Sequence, residues 1–295
     1  MARLRPFVLP IAIVLGLLAH NLCSRMAFLI PYLIFTILFL TFTAVDIRKL
    51  KVGGIDLWLM FFQVVIGVGS YLTIRSLGGN NIIAEGVMMG AMTPVAASVT
   101  VISCLLGANR ETVTTYTIVG NLMVAIVAPG IFTAIGVHPE LSFAASFLLI
   151  FRRIASTLAL PFITALLLQW FCPKVNAAIA QYNGVSFYVW AVALLLTLGQ
   201  TINFIFLHGE GNWGSIAWLA GLSLGMCALQ FAVGRLIGRH YGDAIGGGQL
   251  LGQKNSAIGI WMSTTFLHPL SSVFMAFYSI YQNLFNSYQM AHIKK

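Results

Sequence analysis

The chain has 295 residues, 59% of them hydrophobic and only 8% charged, against roughly 25% charged in an ordinary soluble domain. With a mean hydropathy of +0.92, so few ionisable groups could not coat a water-soluble surface, which excludes a soluble globular fold and a disordered chain alike. The net charge of +9 is scattered over single lysines and arginines and not gathered on an aromatic-flanked patch; that excludes nucleic acid as a partner and points to the basic loops of a membrane protein.

A span takes about 20 apolar residues, so ten spans would use about 200 residues and leave only short loops. Met1 to Cys23 has Arg3 and Arg5 before an apolar run, like a signal peptide, but the run is long enough to cross and reads as the first helix. Apolar segments then fall at 27–45, 55–76, 81–107, 111–136, 154–171, 184–207, 214–237, 244–267 and 270–290. The stretch 141–153 ends in Arg152 and Arg153 and reads as an interfacial helix leading into the sixth span. The expected fold is therefore an all-α membrane protein of ten transmembrane helices.

Counted over alternate loops, eleven lysines and arginines fall on one side, Arg3, Arg110, Lys174 and Arg235 among them, and four on the other: Arg25, Arg75, Arg152 and Arg153. That asymmetry puts both termini in the cytoplasm of an inner or plasma membrane. The basic residue left over is Lys254, inside the ninth segment.

Arg5 to Cys23 has the same texture as Ala155 to Cys172, with an early Leu-Pro and a Cys at the end. Five spans separate the two, so the halves 1–137 and 138–295 would be inverted repeats of five helices, as in many secondary transporters. The fourth segment has Gly90, Thr93 and Pro94 in mid-span; the ninth has Gly246 to Gly248, Gly252 and the polar run Gln253-Lys254-Asn255-Ser256. Proline removes a donor and glycine loosens a helix, so both segments are expected to unwind there. A matched pair of broken helices points to a midplane binding site.

The residues at these breaks resemble the bile acid:sodium symporter family. That family carries Cys-Pro-Gly-Gly-Thr-Ala-Ser-Asn on its fourth helix and Glu-x-Gly-x-Gln-Asn-Ser-Gly on its ninth; the counterparts here are Thr93 to Thr100 and Leu250 to Ala257, with Gln63 matching a glutamine of the third helix. The resemblance implies a panel domain from segments 1, 2, 6 and 7 and a core domain from 3 to 5 and 8 to 10. Substrate would bind between them where the broken helices cross, and alternating access would come from one domain moving against the other.

The departures bear on coupling. The family's first sodium site takes oxygens from positions that are Val99, Thr100, Val113 and Thr117 here; its second uses positions that are Leu250, Lys254 and Gln63. Hard cations need several oxygen ligands, and an ammonium has three donors and no acceptor. Sodium coupling is therefore not expected, and Lys254 takes the place of the cation, with Gln63 and Thr117 beside it as coupling residues. A lysine near the bilayer centre costs roughly 2.5–3.5 kcal/mol on insertion scales, so its presence implies an anionic substrate, protons as a coupling ion, or a structural ion pair with Glu85; snorkelling to a water-filled vestibule is a further option.

Thr93, Thr100, Asn255 and Ser256 are candidates to bind a carboxylate, or else to satisfy loose carbonyls. Gln282 and Asn283 match a His-Asn pair facing the family's crevice. Gln63, Thr117 and Asn121 are equally readable as interhelical glue. The six histidines and four cysteines have no metal or disulfide spacing, and no nucleophile elbow, HExxH pair or phosphate loop occurs. The expectation is a non-enzymatic, cofactor-free secondary transporter of a small organic anion, bile acid or carboxylate in type. Sodium symport as in the family, and a non-transporting receptor with the same fold, are the alternatives.

Overall fold

The computed structural model describes residues 5–46, 50–135, 142–208 and 213–292. Arg3, Arg48, Lys49, Lys294 and Lys295 of the basic-residue count lie outside them, as do His138, Leu141 and the 137/138 boundary between the expected halves. Among the described residues there are fourteen α-helices and no strand: α1 (Arg5–Leu18), α2 (His20–Arg25), α3 (Ile30–Thr43), α4 (Gly54–Ser76), α5 (Asn81–Met92), α6 (Val99–Leu106), α7 (Arg110–Ile135), α8 (Phe143–Phe171), α9 (Pro173–Ala180), α10 (Ser186–His208), α11 (Trp213–His240), α12 (Ala244–Gly252), α13 (Ser256–Phe266) and α14 (Val273–Ala291).

Among the described residues four helical stretches are each long and apolar enough to cross a membrane: Gly54–Ser76, Arg110–Ile135, Pro173–Phe204 and Trp213–His240; a fifth qualifies if the bent helix α8 is one span. Their outer faces are apolar. Leu57, Phe61 and Val65 on α4 and Trp218, Leu229 and Leu236 on α11 are all exposed, an arrangement that suits lipid and not water. Meanwhile polar side chains such as Gln63, Gln230, Gln282 and Asn286 are buried. The chain is an all-α, multi-pass membrane protein. The other apolar segments are cut into shorter helices, and the 12-residue α5 rises only about 18 Å, against a hydrocarbon core of about 30 Å.

Residues 143–153 are helical and lead directly into the sixth segment within α8, whose two parts meet at a 42° bend between Arg153 and Ala155. Arg153 lies 5.5 Å over the ring of Trp261 and so ties α8 to α13.

The helices pack in two groups. Helices α3 and α8, α1 and α10, and α10 with α2 and α3 form one; α4 and α5, α11 and α12, and α11 with α14 and α5 form the other. The second group holds the largest apolar cluster, around Met88, Met89, Met92, Phe274 and Tyr278. Between the groups lies a smaller cluster that includes Ile37, Ile102, Trp190, Leu194 and Leu198.

The two expected breaks are present, between α5 and α6 and between α12 and α13. They are narrower than the glycine content implied. Gly90 and Gly246 to Gly248 are helical, and their role is close packing: a Cβ on Gly247 would strike the carbonyl of Gly234 and the backbone of Gly238 on α11, and one on Gly90 would strike the ring of Phe274. Only residues 93–98 and 253–255 leave the helix. Asp243 caps α12 by accepting from Gly246 N–H at 2.8 Å, and Asn255 caps α13 through Ile258 N–H at 3.2 Å.

Candidate functional site

The two breaks are joined by backbone. Val95 and Lys254 form an antiparallel bridge, with Ala96 N–H donating to the Gln253 carbonyl at 3.2 Å and Asn255 N–H donating to the Pro94 carbonyl at 2.8 Å. In this geometry the backbone groups of Lys254 itself point away from the bridge. Gln282 on α14 meets them: its Oε1 accepts from Lys254 N–H at 2.7 Å, and its Nε2 donates to the Lys254 carbonyl at 3.0 Å.

Unwound backbone inside a membrane protein must find partners elsewhere, and here the carbonyls of the breaks can be followed one by one. Gln63 Nε2 donates to the Thr93 carbonyl at 3.1 Å. Tyr278 donates its hydroxyl to the Gly252 carbonyl at 2.8 Å, and Gln230 Nε2 donates to the Gly90 carbonyl at 3.0 Å and to Tyr278 Oη at 3.0 Å. Tyr116 in turn donates to Gln63 Oε1 at 2.8 Å. These buried side chains hold the irregular backbone in one arrangement.

Beside the bridge lies a cavity of about 70 Å³ lined by Lys254, Asn255, Ser256, Gln282 and Asn283 on one side and by Ile34, Ile37, Trp190 and Thr197 on the other. It sits between the two helix groups. Helices α6 and α13 both begin at its wall, at Ser98 and Ser256. The first N–H groups of a helix have no intrahelical acceptor, so two helix N-termini bring partial positive charge to the same space. Lys254 is 1% exposed, and its Nζ makes no hydrogen bond with any described residue. A buried ammonium with three unused donors is costly unless an acceptor reaches it.

The ion pair with Glu85 does not form. Glu85 lies two turns before the break, and its Oε2 accepts from His268 N–H at 2.8 Å. Nor does snorkelling describe Lys254, because the residue is enclosed.

Five of the expected binding residues, Lys254, Asn255, Ser256, Gln282 and Asn283, converge on the cavity. Within it, Ser256 Oγ donates to Ser279 Oγ at 3.2 Å and Asn283 Nδ2 to the Ser279 carbonyl at 2.7 Å. The two threonines do not join them. Thr93 is fully buried and donates to the Met89 carbonyl at 2.6 Å; Thr100 donates to the Ala97 carbonyl at 3.2 Å and faces Thr41 Oγ1 at 3.3 Å, a turn away from the cavity. Thr117 donates to the Val113 carbonyl at 2.8 Å. Gln63 is consumed by Thr93 and Tyr116.

Three of the positions that the resemblance assigns to the sodium sites are packed with hydrocarbon. Val99, Val113 and Leu250 are fully buried in one cluster with Val95, Leu59 and Leu251.

Sequence reasoning missed Tyr116, Gln230, Tyr278 and Ser279, and the opposite wall of Trp190 and Thr197. Gln230 carries the same signal as Gln63, an amide in mid-span. Trp190, Leu194 and Thr197 fall at i, i+4 and i+7 on one face of α10, but a face acquires meaning only when its neighbour is known. No family profile matches the chain, and no characterised protein is similar to it at a significant level.

Proposed function

We propose that the chain is a secondary transporter of a small organic anion, built from ten spans in two inverted repeats of five and related to the bile acid:sodium symporters. In this reading the two helix groups are panel and core, and each broken helix counts as one span. The observation that carries it is the bridge between Val95 and Lys254, which joins two broken segments at equivalent places in the two halves. Broken helices meeting beside a cavity between two packed groups are the usual site of alternating access.

The ligand is anionic because the cavity gathers two helix N-termini and an ammonium that has no partner among the described residues, with no carboxylate among those that line it. It is small in the present arrangement, since about 70 Å³ is well below the roughly 300–1,000 Å³ of pockets that hold drug-sized ligands. A short carboxylate suits it better than a bile acid. Lys254 does the work of a coupling cation, and the anion enters with a proton on the lysine.

Uptake of a radiolabelled short carboxylate into proteoliposomes tests this. Accumulation driven by a pH gradient and indifferent to sodium is the expected result. Binding without movement across the bilayer would make the protein a receptor of the same fold, and uptake that needs sodium would return the coupling to the family's own pattern.

A further inference from the structure

A second cavity follows the same seam. Ile37, Ala97 and Trp190 line the cavity at the bridge, while Thr41, Val101 and Phe187, one helical turn along α3, α6 and α10, line another of about 370 Å³. The two share no residue. The rings of Phe187 and Trp190, 5.4 Å apart between centroids, stand at the step from one to the other. This second cavity is within the size range of pockets that hold small organic molecules.

Its wall carries one charge, that of Arg110. The guanidinium lies beside the Cys104 thiol and, with the Asn183 amide oriented so that its nitrogen reaches the Leu40 carbonyl, bonds to Asn183 Oδ1 at 3.2 Å. That leaves donors of its five-membered set for a ligand. Neighbouring acids do not take them: Asp243 accepts from the Asn109 and Gly246 backbones at 3.0 and 2.8 Å, and Glu111 is exposed. The hydroxyls of Thr41 and Thr100 donate to the carbonyls of Ile37 and Ala97, so they do not compete for an anion or add donors to it. The apolar part of the same lining includes Val101, Leu105 and Phe187.

We infer that this cavity binds a small organic acid with one carboxylate and a short apolar tail, the carboxylate on the Arg110 fork and the tail against Val101, Leu105 and Phe187. A planar guanidinium matches a carboxylate with two parallel hydrogen bonds, and the apolar wall rejects a second charge. The site does not depend on Lys254 and requires no transport.

Cys104 lines the cavity and reports its occupancy. Cys23 and Cys227 are buried and Cys172 is exposed, so the full chain carrying Cys172→Ser, in phosphatidylcholine nanodiscs, leaves Cys104 as the reactive thiol toward N-ethylmaleimide. Millimolar hexanoate should slow its modification several-fold, and hexanamide should not. Arg110→Gln should remove the protection, Arg110→Lys should shift it to higher hexanoate, and Lys254→Met should leave it intact. Each rate is compared with and without hexanoate in the same variant, so a changed intrinsic thiol reactivity cancels. The inference is overturned if hexanoate gives no protection or hexanamide protects equally. It also fails if protection persists in Arg110→Gln, is unchanged in Arg110→Lys, or vanishes in Lys254→Met. Protection by phosphatidylglycerol in the disc with none from hexanoate would overturn it too, assigning the guanidinium to a lipid headgroup.

Discussion

Gln282 pairs with the backbone of Lys254 as a neighbouring strand would, accepting from its N–H at 2.7 Å and donating to its carbonyl at 3.0 Å. The bridge with Val95 uses the groups on one edge of this short extended segment, and a single side-chain amide from α14 serves the other edge. Buried backbone is thereby satisfied on both sides. Gln282→Met keeps much of the bulk but leaves a donor and an acceptor without partners, at a cost of about 1–3 kcal/mol for each. The unfolding temperature in detergent should fall clearly, whereas Asn283→Ala, which removes one bond made within α14, should lower it much less.

Packing between α11 and α12 rests on missing side chains. Gly234 and Gly238 face Gly247, and a Cβ at Gly247 would lie 2.7 Å from the Gly238 Cα. The obstruction is backbone, which cannot rotate away as a side chain can, so the cost should exceed the usual 1–3 kcal/mol of overpacking. Gly247→Leu should therefore fail to accumulate as folded protein by size-exclusion chromatography. Gly225→Leu on the same α11, where nothing lies within 4 Å, should behave like the parent chain.

These two cases mark what could be read from the amino acids. Pro94 and the Gln253-Lys254-Asn255-Ser256 run told of unwinding, since a residue without N–H and a cluster of polar groups in a span both demand partners that a straight helix cannot supply. The glycines were ambiguous: Gly246 to Gly248 could loosen a helix or admit a neighbour, and only the presence of Gly234 and Gly238 opposite them decides for the second. Lys254 was visible at once as a charge among apolar residues. Its lack of a partner was not, because Glu85 precedes the facing break by two turns and so suggests one, while its bond to His268 N–H depends on how distant segments pack. The Arg110 cavity was likewise hidden, being formed by α3, α6 and α10, whose contact no periodicity reveals.

Sodium should neither stabilise the protein nor drive it. Val99, Val113 and Leu250, at three positions where the proposed kinship with the symporters would call for oxygen ligands, are packed in an apolar cluster, and Gln63 already spends both ends of its amide. A ligand that binds only the folded state raises the unfolding temperature as its concentration rises. Melting curves in sodium chloride and in choline chloride at equal ionic strength should coincide. An upward shift specific to sodium would mean an oxygen cage elsewhere in the chain.

Topology offers an independent check on the ten-span reading. With eleven lysines and arginines on one side of the alternate loops and four on the other, both ends of the chain should face the cytoplasm. A C-terminal fusion to a reporter active only in the cytoplasm should give signal, and a periplasmic reporter should stay silent. The reverse pattern would mean an odd number of spans, which would break the proposed symmetry of the halves, or an inverted orientation, which would overturn the cytoplasmic placement of the ends.

Lys254 carries the sharpest expectation. Among the described residues its enclosed Nζ has no hydrogen-bond partner and the cavity it lines has no carboxylate, so an incoming anion is the natural acceptor. A hydrogen bond to a charged group contributes about 1.5–3 kcal/mol, which corresponds to a change of about 10- to 100-fold in affinity. Lys254→Met keeps the bulk without the donors and should weaken binding of a short carboxylate by that factor, measured by isothermal titration in detergent. Lys254→Arg keeps a charge that is never lost; it should still bind, but uptake into proteoliposomes should no longer follow the pH gradient. If Lys254→Met binds and transports as the parent does at every pH, the lysine is structural, and the anion must be held by Asn255, Ser256 and the two helix N-termini at the bridge.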